Sequence, residues 1–263
     1  MKKKLVLHSG GQDSTSIMLD YIAQHGAENI ISLGFNYGQR HFEMENKAAY
    51  RLCDKHNISR VVLDAPIGQI GGCSLVDHSI DVTTNMEEQR STVVPNRNAI
   101  FLMIAAAVAQ VNDCDVITHG ACIEDYAAYR DCRPEFFDAM QLAIQAGLTN
   151  TVLGSEDMTD DIASQIFVDG NNQLNMPETH LDIRIETPLI KETKDQTLAR
   201  ILRTHDASVY EDSYTCYNGG EVQCGRCPAC VERQVAFYIN KVKDPLEYEN
   251  PLSDQEIEDF LAG

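Results

Sequence analysis

The chain opens with a strand, a glycine-rich turn and the start of a helix. Leu5-Val6-Leu7 is a short apolar run, Ser9-Gly10-Gly11-Gln12-Asp13-Ser14 follows, and Ile17-Met18-Leu19 to Tyr21-Ile22 has helical apolar spacing. Backbone N–H groups at such a turn lack intrahelical acceptors, and the helix dipole adds partial positive charge. The turn therefore reads as a pocket for an anion such as phosphate. Gly10 and Gly11 supply conformational freedom and close approach, and Ser9, Ser14 and Thr15 add hydroxyls. Asp13 is the odd member, because a carboxylate repels phosphate unless a cation or a polar ligand group lies between them. An ordinary capped helix after a turn is the competing reading. No Gly-Lys-Ser/Thr follows, and the dinucleotide pattern Gly-x-Gly-x-x-Gly is absent.

The rest of the chain alternates strand and helix patterns. Strands are expected at 5–7, 30–35, 60–63, 115–118 and 183–185, and helices at 15–25, 41–56, 98–111, 134–146 and 193–203. This alternation implies an α/β fold with a doubly wound parallel sheet and ligands at the carboxyl ends of its strands. Residues 66–92 read as a polar loop over the site, and 151–182 as an exposed insertion. Within the insertion Asp169-Gly170-Asn171-Asn172 hints at calcium, but the full EF-hand pattern is missing and a solvated loop is favoured. The expected organisation is a nucleotide-binding α/β domain over 1–205, a metal-binding helical subdomain over 206–240, and an acidic tail over 241–263 with an amphipathic segment at Ile257–Leu261.

Charge narrows the function. The 263 residues carry 21 basic and 40 acidic side chains, a formal charge of −19, which opposes nonspecific binding to nucleic acid. No apolar run reaches membrane-spanning length, and the run behind Met1-Lys2-Lys3-Lys4 ends too soon, at His8, for a signal peptide. A cytoplasmic protein is expected. Nine cysteines in that setting point to thiols or metal ligands. Cys216, Cys224, Cys227 and Cys230 pack two Cys-x-x-Cys spacings and a fourth thiol into fifteen positions. Four thiolates suit a structural zinc ion, and an iron–sulfur cluster is the competing metal reading. Cys53 and Cys114 fall on apolar faces and read as core residues.

The Ser-Gly-Gly-x-Asp-Ser turn resembles the pyrophosphate loop of the ATP-pyrophosphatase (PP-loop) superfamily, whose Rossmann-like fold is that of the adenine nucleotide alpha hydrolases. Together with the late cysteines, the chain resembles the 7-cyano-7-deazaguanine synthase family of queuosine (7-deazapurine, preQ0) biosynthesis. The resemblance is carried by His8–Thr15, Tyr37-Gly38-Gln39-Arg40-His41, Val94-Pro95-Asn96-Arg97-Asn98, Tyr129-Arg130-Asp131-Cys132-Arg133, Thr187-Pro188-Leu189 with Lys194, and Thr215-Cys216-Tyr217-Asn218-Gly219. It implies a ligase that uses ATP and Mg2+ to join ammonia to 7-carboxy-7-deazaguanine, releasing AMP and pyrophosphate. Implied nucleotide contacts are His8, Ser9, Gly10, Gly11, Gln12, Asp13, Ser14, Thr15, Ser16, Ile17 and Met18; implied catalytic groups are Asp13, Ser14, Arg97 and Lys194. Implied substrate contacts are Gln39, Arg40, Arg97, Asn98, Asp125, Asp131 and Arg133; one Zn2+ on the four clustered cysteines and a homodimer complete the picture.

The chain departs from the family pattern at four places. Asn96 replaces a glycine, Arg130 a proline and Met44 a glutamate, and Cys122-Ile123-Glu124-Asp125 removes or shifts another glutamate. These departures leave open a related ligase that passes the same acid to another amine, a tRNA-modifying PP-loop enzyme, and a noncatalytic nucleotide-binding module.

Overall fold

The computed structural model describes residues 1–83, 91–148 and 183–262, with the backbone of two short strands between them. The strands are β1 (Lys3–Leu7), β2 (Ile30–Asn36), β3 (Ser59–Asp64), β4 (Cys114–Thr118), β5 (Phe167–Val168), β6 (Leu174–Asn175) and β7 (Arg184–Glu186). The helices are α1 (Gln12–His25), α2 (Phe42–His56), α3 (Arg97–Val111), α4 (Pro134–Gly147), α5 (Lys194–Ile201), α6 (Pro228–Ile239) and α7 (Asp254–Ala262). Five strands form one parallel sheet in the order β3-β2-β1-β4-β7, and β5 pairs antiparallel with β6. The order reverses direction between β1 and β4, so the loops leaving their carboxyl ends diverge and open a crevice.

Alternation along the strands assigns the two cores. Leu5 and Ile117 face one way and pack with Leu33, Phe35, Leu102, Ala105 and Phe137. Val6 and Val116 face the other way, against Ile17, Met18, Leu52, Leu198, Tyr210 and Phe237. Both faces of the sheet are therefore covered, which is why its strands read as near-continuous apolar runs. The second core joins residues of 1–205 to Tyr210 and Phe237 of the segment 206–240. Cys53 and Cys114 are buried.

Helix α1 begins at Gln12, earlier than the expected residue 15. Gln12-Asp13-Ser14 carries no apolar periodicity because its turn serves the crevice. Only Gly10 of the glycine pair lies in the left-handed region, at φ +96°, while Gly11 is the extended N-cap at φ −74°. A Cβ on Gly10 would stand 2.5 Å from the Glu45 carbonyl oxygen and 2.8 Å from the Ala49 nitrogen, so α2 packs directly on the turn. At the far end of the chain, Ile257 of α7 is buried against Val231 and Val235 of α6. The expected insertion at 151–182 lies outside the described residues, apart from the β5–β6 backbone. Of the expected loop at 66–92, residues 84–90 also lie outside them, and Pro66–Ile70 forms a 3-10 turn.

Asn96, standing where the resembling family has glycine, takes φ +54° at the N-cap of α3 and preserves the turn. Asparagine tolerates this region better than other non-glycine residues. Asn96→Ala is expected to lower the unfolding free energy by about 1 kcal/mol, and Asn96→Gly to leave it unchanged or slightly raised. Urea titration of the two variants checks this.

Candidate active site

A cleft of about 260 Å³ opens at the switch between β1 and β4. One wall is the turn after β1. Gly10 N–H donates to Ser14 Oγ at 3.2 Å and Gly11 N–H to Ser9 Oγ at 3.2 Å, which sets the shape of the turn. The N–H groups of Gln12, Asp13 and Ser14 follow as the first of α1, with no acceptor inside the helix. The Gln12 side chain is buried, yet neither of its amide atoms has a hydrogen-bond partner, and Asp13 Oδ1 is orphaned too. Unmet buried polar groups are costly, so this wall is built for a polar ligand. The turn is also tied from behind, where Tyr214 N–H donates to the Gly10 carbonyl at 2.8 Å.

The opposite wall brings charge from separated segments. Lys194 begins α5; its backbone N–H donates to Glu124 Oε1 at 2.8 Å, its ammonium contacts Glu232, and Nζ lies 4.0 Å from Asp13 Oδ2. Burial pushes Asp13 up to about 7; Lys194 draws it down, while Asp125, Glu232 and Glu124 push it further up. Asp125 is raised by burial as well, although it accepts the Cys122 N–H at 3.0 Å. Three carboxylates, those of Glu232, Asp13 and Asp125, thus act on one ammonium, and Asp13 and Asp125 are those on the cleft wall able to take a divalent cation. Arg97, the first residue of α3, lines the cleft with its guanidinium 5.8 Å from the Tyr37 ring centre.

Three histidines of the cleft are held neutral. Burial pulls His8, His41 and His119 down to about 3, with Arg60 adding to the effect at His8 and Arg97 at His119. Burial also pushes Glu45 up to about 7, and its Oε2 lies 3.6 Å from His41 Nε2. The signs oppose each other. The histidines, with depressed folded values, contribute stability above about pH 6.5 that is lost as pH falls toward 3; Asp13 and Glu45, with raised values, contribute stability at low pH that is lost as pH rises through about 7. Between pH 7 and 5 the two sets therefore work against each other. Below pH 5 the carboxylates begin to protonate in the unfolded chain too, and the histidine loss dominates. Urea midpoints of the ligand-free protein are expected to change less from pH 7 to 5 than from pH 5 to 3, where they should fall.

The cleft gathers His8, Ser9, Gly11, Gln12, Asp13, Ser14, Gln39, Arg97, Asn98, Asp125 and Lys194 from the sequence-predicted set. Others lie elsewhere. Ile17 and Met18 are core residues, Thr15 is buried, and Ser16 is hydrogen-bonded to Tyr210 at 2.7 Å. Arg40 donates to the carbonyls of Asp77 and Ile80 at 3.1 and 2.8 Å, and Arg133 to that of Tyr126 at 3.0 Å. Asp131 accepts the Asn98 N–H at 3.1 Å, so its carboxylate caps the first turn of α3. None of Arg40, Asp131 and Arg133 lines the cleft, whereas Glu45, Arg60, Phe101, His119 and Thr215 do. Glu45 had a legible signal, since it lies one helical turn after His41 and one position beyond Met44, which packs on the cysteine cluster.

The ligand atoms of Cys216, Cys224, Cys227 and Cys230 all lie within 4.8 Å of one another. Backbone N–H groups point at the sulfurs: Asn218 and Cys224 at Cys216 Sγ, both 3.4 Å, and Arg226 and Cys227 at Cys224 Sγ, 3.4 and 3.3 Å. Such donors suit thiolates, and the donor set fits one metal ion with all four positions filled.

The family profile described as queuosine biosynthesis protein QueC matches residues 3–241. The chain belongs to the QueC family. Among its relatives, the 7-cyano-7-deazaguanine synthase of Pseudoalteromonas translucida is 34% identical over 253 residues, covering 94% of this chain and 99% of that one. The synthase of Psychromonas ingrahamii is 34% identical over 254 residues, covering 95% and 99%. That of Thermoplasma acidophilum is 34% identical over 252 residues, covering 94% and 92%. The QueC match spans both the turn after β1 and the four cysteines.

Proposed function

We propose that this chain is an ATP-dependent ligase that converts 7-carboxy-7-deazaguanine and ammonia to 7-cyano-7-deazaguanine. The observation that carries this reading is one cleft shared by the Ser9–Ser14 turn, Arg97 and Lys194, in a chain 34% identical to named synthases along nearly its whole length. A carboxylate is a poor electrophile. Its oxygen attacks the α-phosphorus of ATP, the bond to pyrophosphate breaks, and AMP becomes a good leaving group on the acyl carbon. Ammonia displaces AMP and loses a proton to give the amide. A second ATP activates the amide oxygen, and loss of AMP and the remaining protons leaves the nitrile.

The chain's residues serve the charge that develops on the departing pyrophosphate. N–H groups at the start of α1 and the Lys194 ammonium are fixed before reaction, and preorganised donors of this kind stabilise the transition state. Arg97, facing the cleft from α3, adds a cation for the phosphates or the substrate carboxylate. Mg2+ accompanies ATP and neutralises phosphate charge, with Asp13 and Asp125 as the carboxylates to hold it. The four thiolates hold Zn2+ in a structural role. A Zn–S length of about 2.3 Å sets tetrahedral sulfurs about 3.8 Å apart, and Cys224 Sγ lies 4.0 Å from Cys230 Sγ. A multi-iron cluster holds its thiolates farther apart. The protein works in the cytoplasm as a homodimer; among the described residues no helix is long and apolar enough to cross a membrane.

A second reading, transfer of the same acid to an amine other than ammonia, draws on Met44 and Ile123. Met44 packs against the cysteine cluster and Ile123 is exposed, so neither supplies a carboxylate to the cleft. Mass spectrometry of a reaction with the deazaguanine acid, ATP and ammonium tests both. Nitrile with two AMP per turnover supports the ligase. Acid consumed only when another amine is added supports the second reading. ATP left intact in a metal-loaded preparation overturns both.

A further inference from the structure

We propose that Glu232 is a positioning residue for Lys194: its carboxylate, beside the cleft and not in its lining, holds the ammonium off Asp13 and keeps it from collapsing onto that carboxylate. This rests on Lys194 binding nucleotide phosphate, as in the reading above. Lysine is a point charge on a flexible four-carbon stem, so its aim comes from its partners. Two carboxylates compete for it. Glu232 is in direct contact, while Asp13 Oδ2 stands at 4.0 Å and Asp13 Oδ1 is buried without a partner. Without Glu232 the ammonium would close on Asp13. That collapse would neutralise the cation meant for phosphate and occupy the carboxylate meant for the metal–nucleotide complex. The Lys194 and Glu232 side chains are only 13% and 15% exposed, so solvent does little to screen the contact.

Both partners are held from behind. The backbone at Lys194 is fixed by the Thr193–Gln196 capping box and by Glu124. Glu232 lies on α6, which starts inside the cysteine cluster, with Cys227 as N-cap and Cys230 in the first turn. Next to it, Arg233 is buried and forked onto Asp244 at 2.8 Å for each oxygen, with a third bond to Ser213 at 2.7 Å. Gln234 donates to the Gly225 carbonyl at 2.9 Å. At the far end of α6, Asn240 donates to the Asp195 carbonyl at 2.9 Å, tying α6 to α5. These bonds fix the rotation of α6 and leave Glu232 facing α5. The four-thiol centre thereby sets the aim of a cleft cation without touching any ligand.

A double-mutant cycle on the full-length, metal-loaded protein tests this, with ATP binding read by calorimetry. Glu232→Gln keeps the shape and removes the charge. It is expected to weaken ATP about tenfold when Lys194 is present and to leave ATP binding unchanged or slightly tighter in a Lys194→Ala background. Glu232→Asp should recover part of the loss. In turnover, kcat for AMP release should fall while KM for the deazaguanine acid stays within twofold. An equal loss in both backgrounds, or no loss in either, would overturn the proposal. Should the cycle close on Lys194 while the wild-type protein makes no AMP from the acid, the adenylation reading fails and the positioning role stands. Normal turnover with a silent Glu232→Gln gives the reverse.

Discussion

Replacing Lys194 with alanine is expected to cut AMP formation about a thousandfold, the loss typical of a preorganised group that stabilises charge in the transition state. Two effects add. The ammonium proposed to meet the phosphates is gone, and Asp13, Asp125 and Glu232 are left as uncompensated carboxylates at the proposed nucleotide site. Stability changes as well. Removing one member of a poorly solvated pair strands the other, here at about 3 kcal/mol, or about 9 °C in melting temperature. A second variant separates the two effects. Lys194→Met with Glu232→Leu replaces the pair by apolar side chains of similar volume and should recover the melting temperature without recovering activity. Chromatographic measurement of AMP release at saturating ATP, at a temperature well below either melt, reads the chemistry. A Lys194→Ala rate within tenfold of wild type would remove Lys194 from the mechanism.

The parallel sheet was legible because both of its faces are buried. Ile30–Phe35 is buried along its whole length and apolar apart from Ser32 and Gly34, and a glycine turn after β1 places the crevice beside the central strand. Motifs located positions but not directions. Asp131 and Arg133 sit in a motif shared with the resembling family, yet Asp131 turns to the N-terminus of α3 and Arg133 to the Tyr126 carbonyl. The first turn of α1 was hidden for a related reason, since Gln12, Asp13 and Ser14, which line the cleft, break the apolar pattern that marks a helix. Glu45 and Glu124 fall one position beyond glutamates missing at Met44 and Ile123, and both still reach the site, one lining the cleft and the other bonded to the Lys194 backbone. Glu232 had no signal in the sequence. Its partner lies 38 positions away, and only the packing of α6 on α5 brings the two together.

The second large effect is expected at the four-thiol centre. Cys230→Ser removes a ligand that is fully buried in the first turn of α6, and three thiols do not close a tetrahedron. Metal content should fall below half, and the melting temperature by about 10 °C, because binding energy at such a site is folding energy. Activity should fall further than the loss of stability alone explains, since two contacts couple the centre to the cleft. Tyr214, packed in the cysteine cluster, donates its N–H to the Gly10 carbonyl and braces the glycine turn. Glu232, two residues after Cys230, holds the ammonium of Lys194. Cys114→Ser is the control: that thiol is buried at the start of β4, outside the cluster, and its loss should leave metal content and turnover near wild type. Metal analysis, thermal melts and AMP release on the same preparations give the comparison. A Cys230→Ser protein with full metal and full turnover would detach the centre from both the fold and the cleft. Loss of metal with normal turnover would confine the centre to stability.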